Sequence, residues 1–202
     1  MERIAVAALG DSITAGSPLW DPDPAVRETI VAPDERSQWQ YWAAGRDPRL
    51  HFRNHGVYGE RTDEIAARLD PAARGAGVLV VQGGINDVVQ GVPVEEAARN
   101  LAATVERGRA LGLAVALADV LPWDAGDARS AAGIARLNEL IHALADGLRV
   151  TLLPFHDTLV DPAAPARMAP GLGADGDHPS VEGHRLLGER AFRLPPPFES
   201  PR

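Results

Sequence analysis

The chain of 202 residues contains no cysteine. This absence excludes thiol nucleophiles, disulfide bonds and thiolate metal sites, but it does not assign a compartment, since secreted proteins without disulfides also occur. Lysine is absent as well, so that all 20 basic residues are arginine. Lysine bases, Schiff-base chemistry and the phosphate-binding lysine of a P-loop are therefore excluded too.

Positive charge is scarce, because 20 basic residues stand against 28 acidic ones and the formal net charge is −8. Nucleic acids and anionic membrane surfaces are bound through a basic stripe, and these arginines form no such cluster. We therefore expect a small or neutral partner, with no nucleic acid and no stable membrane association. Met1-Glu2-Arg3 leads directly into the first apolar run and leaves no room for a signal peptide, so we expect a cytoplasmic protein unless a leader was removed.

Aromatic residues are also few, at 5% of the chain, whereas 45% of the residues are apolar and many of these are Ala, Val and Leu. This composition favours helices packed on a parallel sheet over a β-sandwich. Apolar runs predict strands near residues 3–9, 50–54, 77–82, 113–118 and 149–153, with helices near residues 35–45, 61–70, 94–111, 128–146 and 180–192. Right-handed crossovers wind such a chain into a flavodoxin-like α/β fold, a three-layer α/β/α sandwich with a five-stranded parallel sheet of order 2-1-3-4-5.

The distribution of proline predicts the domain organisation. We expect one domain over residues 1–193, followed by a loosely held Pro-rich tail over residues 194–202. Two further Pro-rich segments, residues 17–33 and 161–173, interrupt the alternation of strands and helices. They are predicted to be loops at the functional edge of the sheet.

Two polar motifs lie near the two ends of the chain. Gly10-Asp11-Ser12 ends the first apolar run, and Asp175-Gly176-Asp177-His178 stands near the C-terminus. A serine nucleophile needs a base within hydrogen-bond reach and a third group that fixes the tautomer of the base. Ser12, His178 and Asp175 can supply these three groups, which indicates a serine hydrolase. Asp177 competes for the third role, but the side chain of an immediately preceding residue usually projects away from its neighbour.

Two more motifs stand between these ends, each after an apolar stretch. They are Asn54-His55-Gly56-Val57-Tyr58-Gly59-Glu60-Arg61-Thr62 and Gly83-Gly84-Ile85-Asn86-Asp87. Because the carboxyl ends of parallel strands meet at one edge of a sheet, all four motifs are expected to converge there. Taken alone, the glycines are typical of turns, and Asn86 or Asp87 is typical of a helix cap.

The four motifs, in this order, resemble those of the SGNH hydrolases, the family of GDSL esterases and lipases, from about residue 10 to about residue 184. The resemblance implies the same strand order and a triad of Ser12, His178 and Asp175. It also implies an oxyanion hole made of the backbone N–H groups of Ser12 and Gly59 and the side-chain amide of Asn86. No metal and no cofactor are implied.

Bulky side chains near these motifs are candidates for a substrate pocket. Tyr58 stands where the family commonly has a small residue before the glycine, which places bulk beside the oxyanion hole. Trp20 and Trp123 follow the first and fourth predicted strands and could wall a pocket, whereas Trp39 and Trp42 have the spacing of core residues in a helix. The six histidines show no spacing typical of a metal site.

These observations together predict a cofactor-independent carboxylic ester hydrolase that cleaves short-chain acyl esters through an acyl-enzyme intermediate on Ser12. The alternatives within enzymes are a carbohydrate O-deacetylase and, third, a thioesterase or lysophospholipase. A non-catalytic binding module on the same fold is an alternative of another class. A nucleotide binder using the Gly83-Gly84 turn is disfavoured, because the chain has neither a G-x-G-x-x-G fingerprint nor a lysine. The motifs predict no oligomeric state.

Overall fold

A five-stranded parallel sheet forms the centre of the computed structural model, which describes residues 3–198. The strands are β1 (Ile4–Gly10), β2 (Leu50–Gly56), β3 (Val78–Val81), β4 (Ala114–Ala118) and β5 (Thr151–Leu153), in the order β2-β1-β3-β4-β5. Every neighbouring pair is parallel, with Ile4 opposite Leu50 and Val6 opposite Val78. The predicted strands, their order and the three-layer α/β/α class are therefore confirmed.

Helices cover both faces of this sheet. They are α1 (Ser12–Ala15), α2 (Pro24–Arg27), α3 (Trp39–Arg46), α4 (Thr62–Ala67), α5 (Leu69–Ala73), α6 (Ile85–Gln90), α7 (Val94–Ala110), α8 (Ala128–Leu148), α9 (Phe155–Leu159) and α10 (Val181–Leu186), which continues into a π-helical turn, Leu187–Ala191. One core includes residues of α3, α9 and α10, and the other includes residues of α4, α5, α7 and α8. β1 supplies Val6 and Ala8 to the first core and Ala7 and Leu9 to the second. A strand buried on both faces is apolar throughout, which is why it could be predicted from an apolar run.

Several short elements were not predicted. The expected helix over residues 61–70 is two helices that meet at Arg68. Pro71 explains the break, because it has no N–H with which to continue the hydrogen bonding of α4. In the predicted loop over residues 17–33, the Asp23 side chain caps α2 and Pro24 begins it. In the predicted loop over residues 161–173, a short antiparallel hairpin forms from β6 (Val160–Asp161) and β7 (Ala164–Met168).

The described part of the C-terminal tail packs against the domain. Leu194 is buried in the first core and Phe198 packs against the same core. Residues 194–198 are therefore not the loosely held end that was expected, because Leu194 and Phe198 are held at the core, although Pro196 and Pro197 between them are exposed. Residues 199–202 lie outside the described residues, and the domain boundary at residue 193 stays a prediction. Within residues 3–198, no helix combines the length and the apolarity needed to cross a bilayer.

Candidate active site

Ser12 lies directly beyond the carboxyl end of β1, as the first residue of α1. The Asp11 carboxylate accepts a hydrogen bond from the Ile13 N–H at 2.9 Å and so caps this helix. Asp11 thus acts as an acceptor that orders the turn before Ser12. Ser12 is almost fully buried, which holds its hydroxyl in a sheltered position at the edge of the sheet.

The His178 imidazole joins Ser12 to Asp175. His178 Nε2 lies 3.0 Å from Ser12 Oγ, and His178 Nδ1 lies 2.8 Å from Asp175 Oδ2. A carboxylate only accepts hydrogen bonds, so Nδ1 carries the proton and Nε2 is left to accept one from the Ser12 hydroxyl. Sequence positions 166 residues apart are thus brought into the order nucleophile, base and orienting carboxylate.

Asp175 reaches back under the imidazole because the chain turns at Gly176, whose φ of +91° favours glycine. Its Oδ1 also accepts the backbone N–H groups of Asp177 and His178 at 2.9 and 2.8 Å. Partial burial alone would raise the pKa of Asp175, but the hydrogen bonds from the His178 imidazole and the two N–H groups outweigh burial and hold the pKa below its ordinary value. The carboxylate is therefore kept ionised beside the imidazole.

Asp177, the competing carboxylate, is hydrogen-bonded to another loop, whereas Asp175 is bonded to this imidazole. Asp177 Oδ1 accepts a hydrogen bond from Trp123 Nε1 at 2.5 Å. In addition, the Ala125 N–H donates to the Gly176 carbonyl. These two contacts tie the loop after β4 to the loop that carries His178. The geometry thus agrees with the choice of Asp175 as the orienting carboxylate.

The residues that carry the three expected oxyanion donors, Ser12, Gly59 and Asn86, line one cleft together with His178. The cleft has a volume of about 140 Å³, and its lining comprises Ser12, Ile13, Tyr58, Gly59, Ile85, Asn86, Val89, Trp123, Asp177 and His178. Gly59 has a φ of +78°, a conformation that side chains rarely adopt. The catalytic roles of Gly59, of Asn86 and of the three triad residues stay predictions.

Asn86 lies inside the short helix α6, which begins after Gly84, and it caps no helix. Its Nδ2 donates to the Glu60 carbonyl at 2.9 Å. An amide nitrogen carries two hydrogens, so this bond fixes the side chain and leaves a second donor. Gln90 Nε2 similarly donates to the Gly59 carbonyl at 3.2 Å. Helix α6 therefore holds the backbone of the Gly59 loop.

Asp87 binds Thr62, the residue at which the Gly59 loop ends and α4 begins. Its buried carboxylate accepts from the Thr62 N–H at 3.0 Å and from the Thr62 hydroxyl at 2.7 Å. Asp87 therefore binds the first turn of α4 and does not cap its own helix, as had been considered. Burial raises the pKa of Asp87, although both Thr62 donors oppose the rise.

Arg68 is a further supporting residue, and no sequence pattern indicated it. Its guanidinium donates to the Gly10 carbonyl at 3.1 Å and to the His55 carbonyl at 2.9 Å, at the ends of β1 and β2. It also pairs with the Glu60 carboxylate at 2.5 Å. One half-buried side chain therefore links the turn before Ser12 to the loop that carries Gly59. Such a link depends on the folded positions of two strands, so only the strand register could have revealed it.

The three pocket candidates take different places. Tyr58 is 69% exposed at the cleft, with its ring centroid 6.2 Å from that of His178. Trp123 lines the cleft, held by Asp177. Trp20 does not line it, which corrects the expectation for this residue: its indole lies under the Arg27 guanidinium at 4.4 Å. The unpredicted helix α2 brings Arg27 there.

The potential metal ligands among residues 3–198 do not cluster. In that part of the chain, His, Asp and Glu side chains form no group of three or more arranged to hold a metal ion. Outside the triad, His184 is fully buried, and burial lowers its pKa to about 3. His184 is therefore a packed neutral residue.

Comparisons with known proteins agree with this architecture. A sequence model of the family described as "GDSL-like Lipase/Acylhydrolase family" matches residues 8–186. A search of curated proteins found no match. Among solved structures, a protein described as lipolytic and of the G-D-S-L family from Desulfitobacterium hafniense is 23% identical, with a TM-score of 0.76 over 93% of this chain and 97% of that one. An acetylxylan esterase from Geobacillus stearothermophilus is 18% identical, with a TM-score of 0.71 over 93% and 91% of the two chains. At these identities the structural likeness shows the fold.

Proposed function

The chain belongs to the GDSL-like lipase/acylhydrolase family of SGNH hydrolases, and on that premise we propose that it hydrolyses carboxylic esters through an acyl-enzyme intermediate on Ser12. One observation carries the proposal: Ser12 Oγ, His178 and Asp175 form a continuous hydrogen-bonded chain, with contacts of 3.0 and 2.8 Å, inside a cleft that Gly59 and Asn86 also line. Nucleophile, base and orienting group are then all within the reach that covalent catalysis requires.

In the acylation step, Ser12 Oγ attacks the ester carbonyl carbon while its proton passes to His178 Nε2. Asp175 holds the opposite nitrogen and stabilises the imidazolium that forms. When the C–O bond breaks, His178 returns the proton to the leaving alcohol. A water molecule then attacks the acyl-Ser12 ester, giving its proton to His178, and the free acid leaves as Ser12 regains its hydrogen.

The negative oxygen of each tetrahedral intermediate needs fixed donors. The Ser12 N–H is the first of a helix and has no partner within it. The Gly59 N–H and the second hydrogen of Asn86 Nδ2 are the other two donors that we propose. Each such donor is commonly worth about 2.7–4 kcal/mol in the transition state. The hydrogen bonds of Asn86 to Glu60 and of Gln90 to Gly59 fix these donors before substrate binds.

The proposed acyl group is short. A cleft of about 140 Å³, bordered by Tyr58 and by the Trp123 indole held on Asp177, has little room for a long chain. Each methylene beyond the cleft forgoes the burial that a deeper pocket would provide, about 0.8 kcal/mol. Acetyl to about hexanoyl esters are therefore preferred over the long chains of lipase, lysophospholipase or thioesterase substrates.

The test of the reaction is Ser12→Ala. We expect this variant to keep the fold and to lose at least about 99% of kcat, because the nucleophile is gone. A fluorophosphonate should label the wild type at one residue, Ser12, and should not label the variant. Ser130→Ala is the matched control, since Ser130 only bonds to Asp127 at the start of α8. If Ser12→Ala kept more than about 1% of the wild-type kcat and Ser12 of the wild type were not labelled, this reaction would be excluded.

Acetylated carbohydrates are the second candidate substrates. The exposed face of Tyr58 at the cleft favours them, since a flat ring can stack on a sugar. The fold shared with an acetylxylan esterase agrees with this choice. We would compare kcat/KM across p-nitrophenyl esters from acetyl to palmitoyl, below their micelle-forming concentrations, and across acetylated xylo-oligosaccharides. An optimum at dodecanoyl or longer would contradict the short acyl pocket.

A further inference from the structure

A second cleft lies at the same edge of the sheet as Ser12. Its volume is about 430 Å³, compared with about 140 Å³ at Ser12, and its lining comprises Asp119, Pro122, Ala131, Ile134, Ala135, Asn138, Glu139, His142, His156, Asp157, Pro165 and Ala166. Pro122 lines this cleft while Trp123 lines the other, so the loop after β4 separates them. The proposed ester hydrolysis uses no residue of this second cleft.

A buried carboxylate stands at the inner end of the cleft. Asp119 follows β4 directly, and its side chain is only 1% exposed. Its Oδ1 accepts the His156 N–H at 2.7 Å, and its Oδ2 lies 3.0 Å from His142 Nε2. Burial raises the pKa of Asp119, and the two donors oppose that rise. Both carboxylate oxygens of Asp119 therefore already have protein partners.

His142 is the group that remains available. A carboxylate only accepts, so the neutral tautomer that fits this contact has its proton on His142 Nε2 and an acceptor at Nδ1. The side chain of His142 is 46% exposed, and Nδ1 has no hydrogen-bond partner among residues 3–198. Asp119 thus orients an unused hydrogen-bond acceptor at a cleft wall.

The remaining lining defines which molecules fit. The walls are mostly apolar, with Ile134, three alanines and two prolines. No arginine lines the cleft, whereas the carboxylates of Glu139 and Asp157 do. An anion would therefore find no arginine among the lining residues and would meet carboxylates instead. Binding sites for small molecules typically have such a volume and such apolar walls with a few oriented polar groups.

We propose that this second cleft binds a compact, apolar, uncharged molecule that carries a hydroxyl group, with the hydroxyl donating a hydrogen bond to His142 Nδ1. The apolar body of the molecule packs against Ile134 and the prolines. The proposal does not depend on the chemistry at Ser12.

The test uses two probes that differ in one property. Cyclohexanol can donate a hydrogen bond, and cyclohexanone, of nearly equal size, can only accept one. Each is titrated at pH 8 into the full-length, isotope-labelled protein while the backbone amide signals are followed by NMR. We expect saturable shifts at Ala131, Ala135 and His156, with cyclohexanol binding about five- to tenfold more tightly than cyclohexanone, as one net hydrogen bond predicts.

Variants connect the selectivity to the proposed atom. His142→Phe keeps a planar ring but removes the acceptor, so the affinity for cyclohexanol should fall to that for cyclohexanone. His51→Phe, an exposed histidine on β2, is the matched control and should change neither affinity. In Asp119→Asn, the new amide can donate to His142 Nε2, which moves the ring proton to Nδ1 and should raise the affinity for cyclohexanone.

Three results would overturn the proposal. They are equal affinities for the two probes in the wild type, shifts confined to the Ser12 cleft, and undiminished preference for the alcohol in His142→Phe. If Asp119→Asn does not fold, the comparison of wild type with His142→Phe still decides the matter. Neither probe is an ester, so the outcome is independent of whether Ser12 hydrolyses esters.

Discussion

Two of the pairs of histidine and aspartate at the carboxyl edge of this sheet have opposite burial. In the first pair the His178 side chain is 9% exposed and Asp175 is 38% exposed. In the second pair His142 is 46% exposed and Asp119 is 1% exposed. The hydrogen bond between the partners is similar, at 2.8 and 3.0 Å. A carboxylate that orients an imidazole is therefore common to both pairs and cannot by itself define a catalytic site.

The free nitrogen of each imidazole makes the difference. His178 Nε2 meets the hydroxyl of Ser12, which the turn after β1 holds in place, and the oxyanion donors line the same cleft. His142 lines a wider cleft with mostly apolar walls and no serine among its lining residues, and its Nδ1 has no partner among residues 3–198. The same two side chains thus support proton transfer in one place and ligand recognition in the other.

The largest expected effect separates the two histidines. His178→Ala should lower kcat for a short p-nitrophenyl ester by about 10⁴–10⁶, because the base is lost. His142→Ala should leave kcat within about twofold, since His142 is outside the proposed mechanism. Steady-state kinetics on the two variants, with thermal unfolding to check the fold, makes the comparison. A comparable loss in both variants would mean that the second pair takes part in the reaction.

The carboxylates provide the next contrast. Asp175→Asn should reduce kcat by about 10⁴, because an amide can stabilise the wrong tautomer of His178. Asp177→Asn should cost less than about tenfold, since an amide oxygen can still accept the hydrogen bond of Trp123. The measurement is kcat in each variant with one short ester. A collapse in Asp177→Asn together with near-normal activity in Asp175→Asn would reverse the assignment that the geometry favours.

A smaller effect is expected in the oxyanion hole. Asn86→Ala should lower kcat by about 10²–10³ with little change in KM, because its donor binds the transition state more strongly than the ground state. Gln90→Ala, on the same helix, removes the support of the Gly59 carbonyl and the hydrogen bond that Gln90 accepts from Arg61, and should cost less than about tenfold. A change confined to KM in Asn86→Ala would make Asn86 a substrate-binding residue.

The first site could be predicted from the sequence, and the second could not, for a physical reason. Ser12, Gly59 and Asn86 each follow a strand of the parallel sheet closely, so the sheet alone brings them to one edge. The pairing of Asp119 with His142 depends on the rotation of α8 about its axis, and that of Arg68 with Gly10 depends on strand register. The expectation that Trp20 borders the cleft is wrong because its indole packs under Arg27. Arg27 is brought there by the short helix α2, which depends on local capping by Asp23.

The last prediction concerns stability, and it contrasts two carboxylates that flank the nucleophile. Asp11 is fully buried, and burial raises its pKa to about 6, against the opposing hydrogen bond from Ile13. The folded state therefore holds the Asp11 proton more tightly than the unfolded state does. This contribution to the free energy of unfolding is fully present below about pH 4 and is lost as the pH rises through about 6. Asp175 has a lowered pKa, so its contribution has the opposite sign and is lost as the pH falls.

Asp11→Asn keeps a good helix cap but cannot titrate. Relative to this variant, the wild type should lose about 2.5 kcal/mol of unfolding free energy between pH 4 and pH 7, which is most of the total for a pKa displaced from 3.8 to about 6. Urea unfolding of both proteins at half-unit pH intervals measures the difference, with Asp175→Asn as the matched control. Relative to Asp175→Asn, the wild type should instead gain stability as the pH rises from the acid range. If the difference in unfolding free energy between the wild type and Asp11→Asn stays constant from pH 4 to pH 7, the Asp11 carboxyl does not titrate in that range. The turn that bears Ser12 would then hold a negative charge throughout it.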